Sequence, residues 1–155
     1  MKKVAVILSG CGVFDGAEIH ESVLALHAIE KQGASWHCFA PNVEQMHVIN
    51  HITGEEMPET RNVLVESARI ARGNIQDVVT LNVNEFDALL LPGGFGAAKN
   101  LTDFAVKGTQ CSINPDVDHR LPCFCGCAKT CGLYLYCPDH HSNDLWRSRT
   151  RHNRQ

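Results

Sequence analysis

The sequence predicts an α/β fold in which a mostly parallel sheet carries helices on both faces. Short apolar runs alternate with segments of helical periodicity along the first 114 residues. The apolar runs are continuous rather than alternating, which is typical of strands that are buried on both faces. Glycine or proline closely follows the clearest of these runs. Strands that lead into helices are punctuated in this way, so the pattern favours an α/β architecture.

The elements follow one another in a regular order. The first helix has apolar side chains at Ile19, Val23, Leu26 and Ile29, which is near-helical spacing, and it stops at Gly33. We predict strands at residues 4–8, 35–40, 78–81 and 88–91, and helices at residues 18–32, 58–73 and 101–107.

Proline and glycine set the limits of the later helices. Pro58 opens the second helix, Glu59 lies in its first turn and Gly73 closes it, while Gly108 closes the third. The chain has no internal repeat. Strands joined by helical crossovers pair in parallel, so this order predicts a mostly parallel sheet.

Length and charge limit the classes of protein. The 155 residues suffice for one domain with its own core, and the net charge of −3 indicates no strongly basic or acidic partner for the whole chain. The apolar run that begins at Val4 stops at Ser9, so it predicts a strand rather than a signal peptide. No run approaches the roughly 18 apolar residues of a membrane span. We therefore expect a cytoplasmic protein without a membrane partner.

The composition changes near residue 115. Residues 1–115 have the composition and periodicity of an α/β domain, whereas residues 116–155 are rich in cysteine and arginine. After residue 138 there is one leucine and no valine, isoleucine or phenylalanine. Such a segment buries too little apolar surface to offset its ordering entropy, so we predict that residues 116–155 form a disordered tail.

The cysteines do not form a pattern that is typical of disulfide domains or zinc sites. Three of the eight are scattered, and five crowd into residues 123–137 with the spacing C-x-C-x-C-x3-C-x5-C. Structural zinc sites use C-x2–4-C pairs that are set apart by a loop. We predict no metal and no cofactor.

The loop at residues 9–16 follows the first strand and precedes the first helix. Open α/β sheets bind ligands at this position, beyond the carboxyl ends of the strands. The spacing G-x-G-x-x-x-G, which starts at Gly10, departs from nucleotide-binding fingerprints, and a tight turn is the simpler interpretation. Cys11 is either a thiol activated near a helix start or a small packing residue.

Three further features are candidates for chemistry. Glu18 and Glu21 either complement the positive end of the first helix or place a carboxyl beside a reactive group. The glycines in Gly93-Gly94-Phe95 let backbone N–H groups approach a ligand closely, as an oxyanion or carbonyl site requires. His51 is either a functional group or an ordinary loop histidine. The residues alone do not decide between these readings.

Several strings together resemble the ElbB-type glyoxalases of the ThiJ/PfpI superfamily. They are VILSGCGVFDG at residues 6–16, EIHE at 18–21, CFAP at 38–41, VINH at 48–51, ETRNVL at 59–64 and PGGFGAAKNL at 92–101. The resemblance implies a class I glutamine amidotransferase-like (flavodoxin-like) fold. It also implies conversion of small 2-oxoaldehydes such as glyoxal to hydroxy acids, without glutathione or metal.

The same resemblance implies roles for residues of this chain. Glu18 matches the acidic partner of a cysteine nucleophile, which the family carries on a G-F-x-C-I-A-P elbow. The substrate side would comprise Gly10, Cys11, Gly93, Gly94 and Phe95. A homodimer is a possible assembly.

The chain departs from the family at the elbow. It reads G-L-Y-L-Y-C-P at residues 132–138. Shifting the reading by one base across residues 129–146 permits K-P-V-G-F-I-C-I-A-P-T-I-I-P-M-I-Y-G, which resembles the elbow and the helix after it. We therefore expect a reading-frame slip between residues 116 and 122 and a fold that is incomplete at its C-terminus. We give Cys137 no catalytic role.

Two classes of function remain open. The first is a glyoxalase-type protein that is inactive in this chain because the elbow is lost. The second is a non-catalytic binding or regulatory module, or an inactive truncated product. The arginine-rich tail could attract nucleic acid, but a solvated tail is the simpler interpretation, so no nucleic-acid partner is predicted. Without its last elements, the sheet should be marginally stable and prone to aggregation.

Overall fold

A five-stranded parallel sheet forms the centre of the protein. The computed structural model describes residues 1–121 and the backbone of residues 130–133. The strands lie in the order β3-β2-β1-β4-β5, and every pairing between neighbours is parallel. They are β1 Lys3–Ile7, β2 Ser35–Ala40, β3 Ile75–Asp77, β4 Ala88–Leu91 and β5 Thr130–Leu133. The predicted parallel sheet is therefore confirmed.

Helices cover both faces of the sheet, as predicted. They are α1 Ile19–Lys31, α2 Val63–Ala71, α3 Gly96–Lys99, α4 Phe104–Lys107 and α5 Pro115–Asp118. Leu26 of α1 and Ala71 of α2 pack with Val6 on one face. Ala97 and Val117 belong to the apolar cluster on the other face. Among the helices of the described residues, none combines the length and hydropathy that a membrane span requires.

The second predicted helix and the third predicted strand differ from the structure. The second helix begins at Val63 rather than Pro58, because the Asn62 side chain accepts a hydrogen bond from the Val65 N–H (3.1 Å) and caps the helix there. The strand predicted at residues 78–81 is a 3₁₀ turn, Val78–Thr80, and β3 lies immediately before it. Val78 and Leu81 are both buried, and their i,i+3 spacing suits a 3₁₀ turn better than a strand.

The segment after β4 also departs from the prediction. The helix expected at residues 101–107 begins only at Phe104, and α3 precedes it. α5 begins at the expected domain boundary, capped by Asn114, and its Val117 is fully buried. The boundary itself stays a prediction, because residues 122–129 and 134–155 lie outside the described residues.

Candidate functional site

The predicted site residues lie where the loop after β1 meets the turn after β4. Both strands end at the same edge of the sheet, since they are parallel neighbours. Backbone hydrogen bonds join the two segments directly. The Phe95 N–H donates to the Val13 carbonyl (2.8 Å), and the Gly96 N–H donates to the Gly16 carbonyl (2.9 Å). The structure therefore brings the two predicted segments together as one backbone unit.

The glycines at this junction permit close contact between backbone segments. A Cβ atom on Gly94 would lie 2.4 Å from the Gly16 carbonyl oxygen and 2.5 Å from the Glu18 nitrogen, and its φ is +110°. A Cβ atom on Gly16 would lie 2.3 Å from the Cys11 nitrogen. Side chains are excluded at both positions. Gly94 is thus required for packing against the start of α1, which sequence reasoning had attributed to the approach of a ligand.

Glu18 caps the N-terminus of α1. Its backbone is extended, and its carboxylate accepts hydrogen bonds from the Glu21 N–H (2.6 Å) and from His20 Nδ1 (3.0 Å). Burial acts to raise the pKa of this carboxyl, but the hydrogen bonds from Glu21 and His20 outweigh it and hold the pKa below its usual range. Glu18 is therefore an ionised acceptor at neutral pH.

Glu21 binds the turn after β4. Its carboxylate accepts a hydrogen bond from the Gly93 N–H at 2.9 Å. The Phe95 N–H donates to the Val13 carbonyl. Of the three N–H groups in the turn, that of Gly94 is the one without a hydrogen bond to any residue that the structure describes. The Gly94 N–H is therefore the donor in this turn that the carbonyl oxygen of a bound ligand could accept from.

Cys11 has the environment of a packing residue more than that of a nucleophile. The thiol is half-buried, and burial raises its pKa, as does the charge of Glu66, although Arg69 acts in the opposite direction. α1 begins at Ile19, so the thiol does not lie at a helix start. The neighbouring Gly10 N–H donates to the Ser67 hydroxyl (2.9 Å), which fixes this loop against α2.

His51 holds the loop after β1 in place. Its Nε2 accepts a hydrogen bond from the Phe14 N–H (3.2 Å), and its Nδ1 lies 3.0 Å from the Ile49 carbonyl oxygen. These partners require the neutral tautomer with its proton on Nδ1. The buried Asp15 accepts from the Ile49 N–H (2.8 Å) and lies 3.9 Å from Nε2. The interpretation as an ordinary loop histidine fits this geometry.

Asn100 is a structural residue that sequence reasoning missed. Its side-chain amide donates to the carbonyls of Ser9 (2.8 Å) and Asp15 (2.9 Å), and its oxygen accepts from the Met46 N–H (3.0 Å). The side chain is buried. It joins three loops at the carboxyl edge of the sheet. The sequence holds no local signal for this role, because all three partners are backbone groups remote in the chain.

An open groove lies next to the turn. Its volume is about 720 Å³, and aromatic rings contribute much of its lining. Among the described residues that line it, Lys99 is the one that carries a charge. The lining residues are Phe14, Ile49, Gly54, Phe95, Ala98, Lys99, Phe104, Ala105, Val106 and Gly108.

The expected nucleophile elbow lies mostly outside the described residues. Gly132 and Leu133 belong to β5, whereas residues 134–138 are not described. Leu133 is in register with Leu91, so β5 ends beside the turn that begins at Pro92. Within residues 1–121, no cluster of three histidine, cysteine, aspartate or glutamate side chains could hold a metal ion.

The chain is similar in sequence to curated proteins from rat and human. The chain is 52% identical over 137 residues to the rat "ES1 protein homolog, mitochondrial". It is 50% identical over 137 residues to the human "Glutamine amidotransferase-like class 1 domain-containing protein 3, mitochondrial". These matches cover 88% of this chain but 52% and 51% of the relatives, so the chain spans about half the length of the curated relatives it matches. No family model matches the chain.

Solved structures agree with the sequence matches. An isoprenoid biosynthesis protein with an amidotransferase-like domain from Ehrlichia chaffeensis superposes with a TM-score of 0.81 at 41% identity, covering 84% of this chain and 62% of that one. The chain is similar in sequence and in fold to these glutamine amidotransferase-like proteins. The Francisella tularensis Rapid Encystment Protein 24 kDa superposes with a TM-score of 0.52 at 14% identity, covering 86% of this chain and 58% of that one, which shows a shared fold. The predicted class I glutamine amidotransferase-like fold is confirmed.

The expected cytoplasmic location is wrong. The rat, human and zebrafish relatives are all described as mitochondrial. The zebrafish protein, "ES1 protein, mitochondrial", is 38% identical over 140 residues, with 87% of this chain and 52% of the relative covered. The prediction rested on the short apolar run at residues 4–8, and such a run does not distinguish between compartments inside the cell.

Proposed function

We propose that this chain carries the substrate-facing half of a glyoxalase-type α/β protein and that, as written, it does not turn substrate over. The reaction combines one molecule of 2-oxoaldehyde with one of water to give a hydroxy acid, so that glyoxal gives glycolic acid. One observation carries the proposal. The ionised Glu18 and the Gly93-Gly94 turn, two separate parts of the family resemblance, are joined by a 2.7 Å hydrogen bond from the Glu18 N–H to the Gly93 carbonyl.

The chemistry needs a nucleophile, a proton carrier and a donor for the oxyanion. Glu18 is a carboxylate that can accept and return a proton, and the Gly94 N–H is a donor without a partner among the described residues. Cys11 is a poor nucleophile, because burial and Glu66 keep its thiol protonated. The described part of the chain therefore offers two of the three groups.

The family resemblance implies that the nucleophile follows β5, on a G-F-x-C-I-A-P elbow. The position suits the proposal, because β5 ends in register with β4 and thus beside the Gly93-Gly94 turn. The chain has G-L-Y-L-Y-C-P there, which we attribute to a one-base slip between residues 116 and 122. A small aldehyde as ligand, and a homodimer as a possible assembly, belong to this proposal as well.

Restoring the elbow tests the proposal. A chain with the coding frame shifted back over the segment after residue 116 should consume glyoxal and release glycolic acid. Replacing Glu18→Gln in that chain should lower the rate by about 100-fold or more, since it removes the proton carrier. The control is Glu59→Gln, which replaces an exposed carboxylate that pairs with Arg61 and should leave the rate unchanged. Equal rates for the two variants would contradict the role of Glu18.

A non-catalytic binding module is the second candidate, and one observation favours it. Both oxygens of the Glu18 carboxylate accept hydrogen bonds, from His20 and from the start of α1, so the group also has a complete structural role. A restored chain that binds glyoxal but does not consume it would support this alternative.

A further inference from the structure

The groove next to the turn has an unusual combination of lining residues. Phe14, Phe95 and Phe104 give it aromatic walls, and Lys99 is the charged residue within the described part of its lining. Phe14 is 39% exposed, so its ring is accessible from solvent. Pockets that bind small molecules generally combine apolar walls with a few polar groups that fix the orientation of the ligand. The volume, about 720 Å³, lies within the range of such pockets.

Lys99 is only partly solvated within this groove. Its ammonium donates a hydrogen bond to the Phe14 carbonyl (2.8 Å) and lies 5.7 Å from the centroid of the Phe95 ring. Burial lowers the pKa of Lys99, although the charges of Asp15 and Glu56 act in the opposite direction. An ammonium has three donors, so two remain after the bond to Phe14. These donors have lost part of their water and would gain from an anionic acceptor.

The nearby carboxylates do not supply that acceptor. Within residues 1–121, no carboxylate oxygen lies within 4.0 Å of the Lys99 ammonium. Asp15 is buried and accepts from the Ile49 N–H instead. The groove therefore presents one under-solvated cation among aromatic rings.

We propose that this groove binds a small carboxylic acid that carries an aromatic group. The carboxylate accepts hydrogen bonds from the Lys99 ammonium, and the aromatic group packs against Phe14, Phe95 and Phe104. This site goes beyond the proposed function, because its ligand is an anion rather than an aldehyde and no bond is made or broken. Binding at the groove and turnover at Glu18 can therefore be tested separately.

Ligands of matched size test the proposal on the unaltered chain. Phenylacetate, phenylacetamide and acetate are titrated against the protein, and dissociation constants come from calorimetry or amide chemical shifts. Phenylacetate should bind at least tenfold more tightly than phenylacetamide, which has the ring without the charge. Acetate, which has the charge without the ring, should bind at least tenfold more weakly than phenylacetate. Equal affinities for phenylacetate and phenylacetamide, or no binding of phenylacetate, would overturn the proposal.

Two lysine variants locate the site. Lys99→Met should remove the preference for phenylacetate over phenylacetamide. Lys107→Met changes a lysine of α4 that pairs with Asp103 and does not line the groove, so it should retain the preference. Shifts of the Phe14, Phe95 and Phe104 amides on binding should accompany the effect. A preference that survives Lys99→Met, or that Lys107→Met abolishes equally, would contradict the assignment.

Discussion

The backbone N–H of Glu18 donates a 2.7 Å hydrogen bond to the carbonyl oxygen of Gly93. The Glu21 carboxylate in turn accepts a hydrogen bond from the Gly93 N–H at 2.9 Å. Both backbone groups of Gly93 are thus bound to the first turn of α1. This reciprocal pair fixes the position of Glu18 relative to the turn after β4.

The first prediction concerns the space at Gly94. Gly94→Ala would place a methyl group 2.4 Å from the Gly16 carbonyl oxygen on a backbone with φ of +110°. We expect a loss of roughly 3 kcal/mol or more in the free energy of unfolding, since strain and overpacking add. Gly33→Ala is the control, because Gly33 also has a positive φ (+73°) but nothing lies within 4 Å of its Cβ position. It should cost only about 1–2 kcal/mol. Similar losses in urea denaturation would show that Gly94 does not pack as described.

The second prediction concerns the pH dependence of the cap on α1. The pKa of Glu18 is depressed in the folded state, so the carboxylate stabilises the fold above the unfolded-state pKa of about 4.3. That contribution is lost as the pH falls through the lower folded-state pKa. The stability of the unaltered chain should exceed that of Glu18→Gln by up to about 1 kcal/mol at pH 7, and the gap should close in acid. Urea denaturation from pH 7 to pH 3 measures it. A gap that stays constant over this range would contradict the depressed pKa.

The third prediction concerns Asn100. Asn100→Asp keeps the shape of the side chain but replaces the donor to the Ser9 and Asp15 carbonyls with a carboxylate oxygen. Buried carbonyls would then lose their donor and face a like partial charge, so we expect a loss of roughly 2–4 kcal/mol in stability. Asn84→Asp, at an exposed position, should change stability by less than about 0.5 kcal/mol. Thermal or urea unfolding measures the stability of both variants. Equal losses of stability would contradict the structural role of Asn100.

The fourth prediction concerns the reactivity of Cys11. Burial and Glu66 raise the pKa of its thiol, so iodoacetamide at pH 8 should alkylate it at least about threefold more slowly in the folded chain than in urea. Glu66→Gln should speed the reaction, and Arg69→Gln should slow it further, because their charges act in opposite directions. Peptide mass mapping separates Cys11 from the other cysteines. Alkylation rates that change in the same direction in both variants would mean that solvent access, not charge, controls the reactivity of the Cys11 thiol.

Three of the strands and the first helix could be predicted closely. β2 and β4 lie at the predicted residues, and β1 and α1 differ from the prediction by one residue at each end. Burial on both faces demands continuous apolar runs, so the sequence carries that signal directly. The start of α2 was missed because a single side chain, Asn62, decides it. Caps outweigh the weaker preference of a proline five residues earlier.

The candidate site was only partly predictable. The family resemblance placed Glu18 and Gly94 in one site, and the structure shows both segments at one edge of the sheet. Sequence reasoning did not find Asn100 or the cation of Lys99, since their roles depend on loops that are remote in sequence and meet only in the folded chain. The role of Glu21 as the acceptor of the Gly93 N–H is equally a product of tertiary structure.

The most direct test of the central claim is the rate of glyoxal loss in the presence of the 155-residue chain as written. The account predicts a rate equal to that of a heat-denatured sample, because the described residues supply Glu18 and the Gly94 N–H, whereas burial and Glu66 raise the pKa of the Cys11 thiol and keep it protonated. Glu18→Gln should then make no difference. Loss of glyoxal well above the denatured control, abolished by Glu18→Gln, would contradict the claim that this chain lacks its nucleophile.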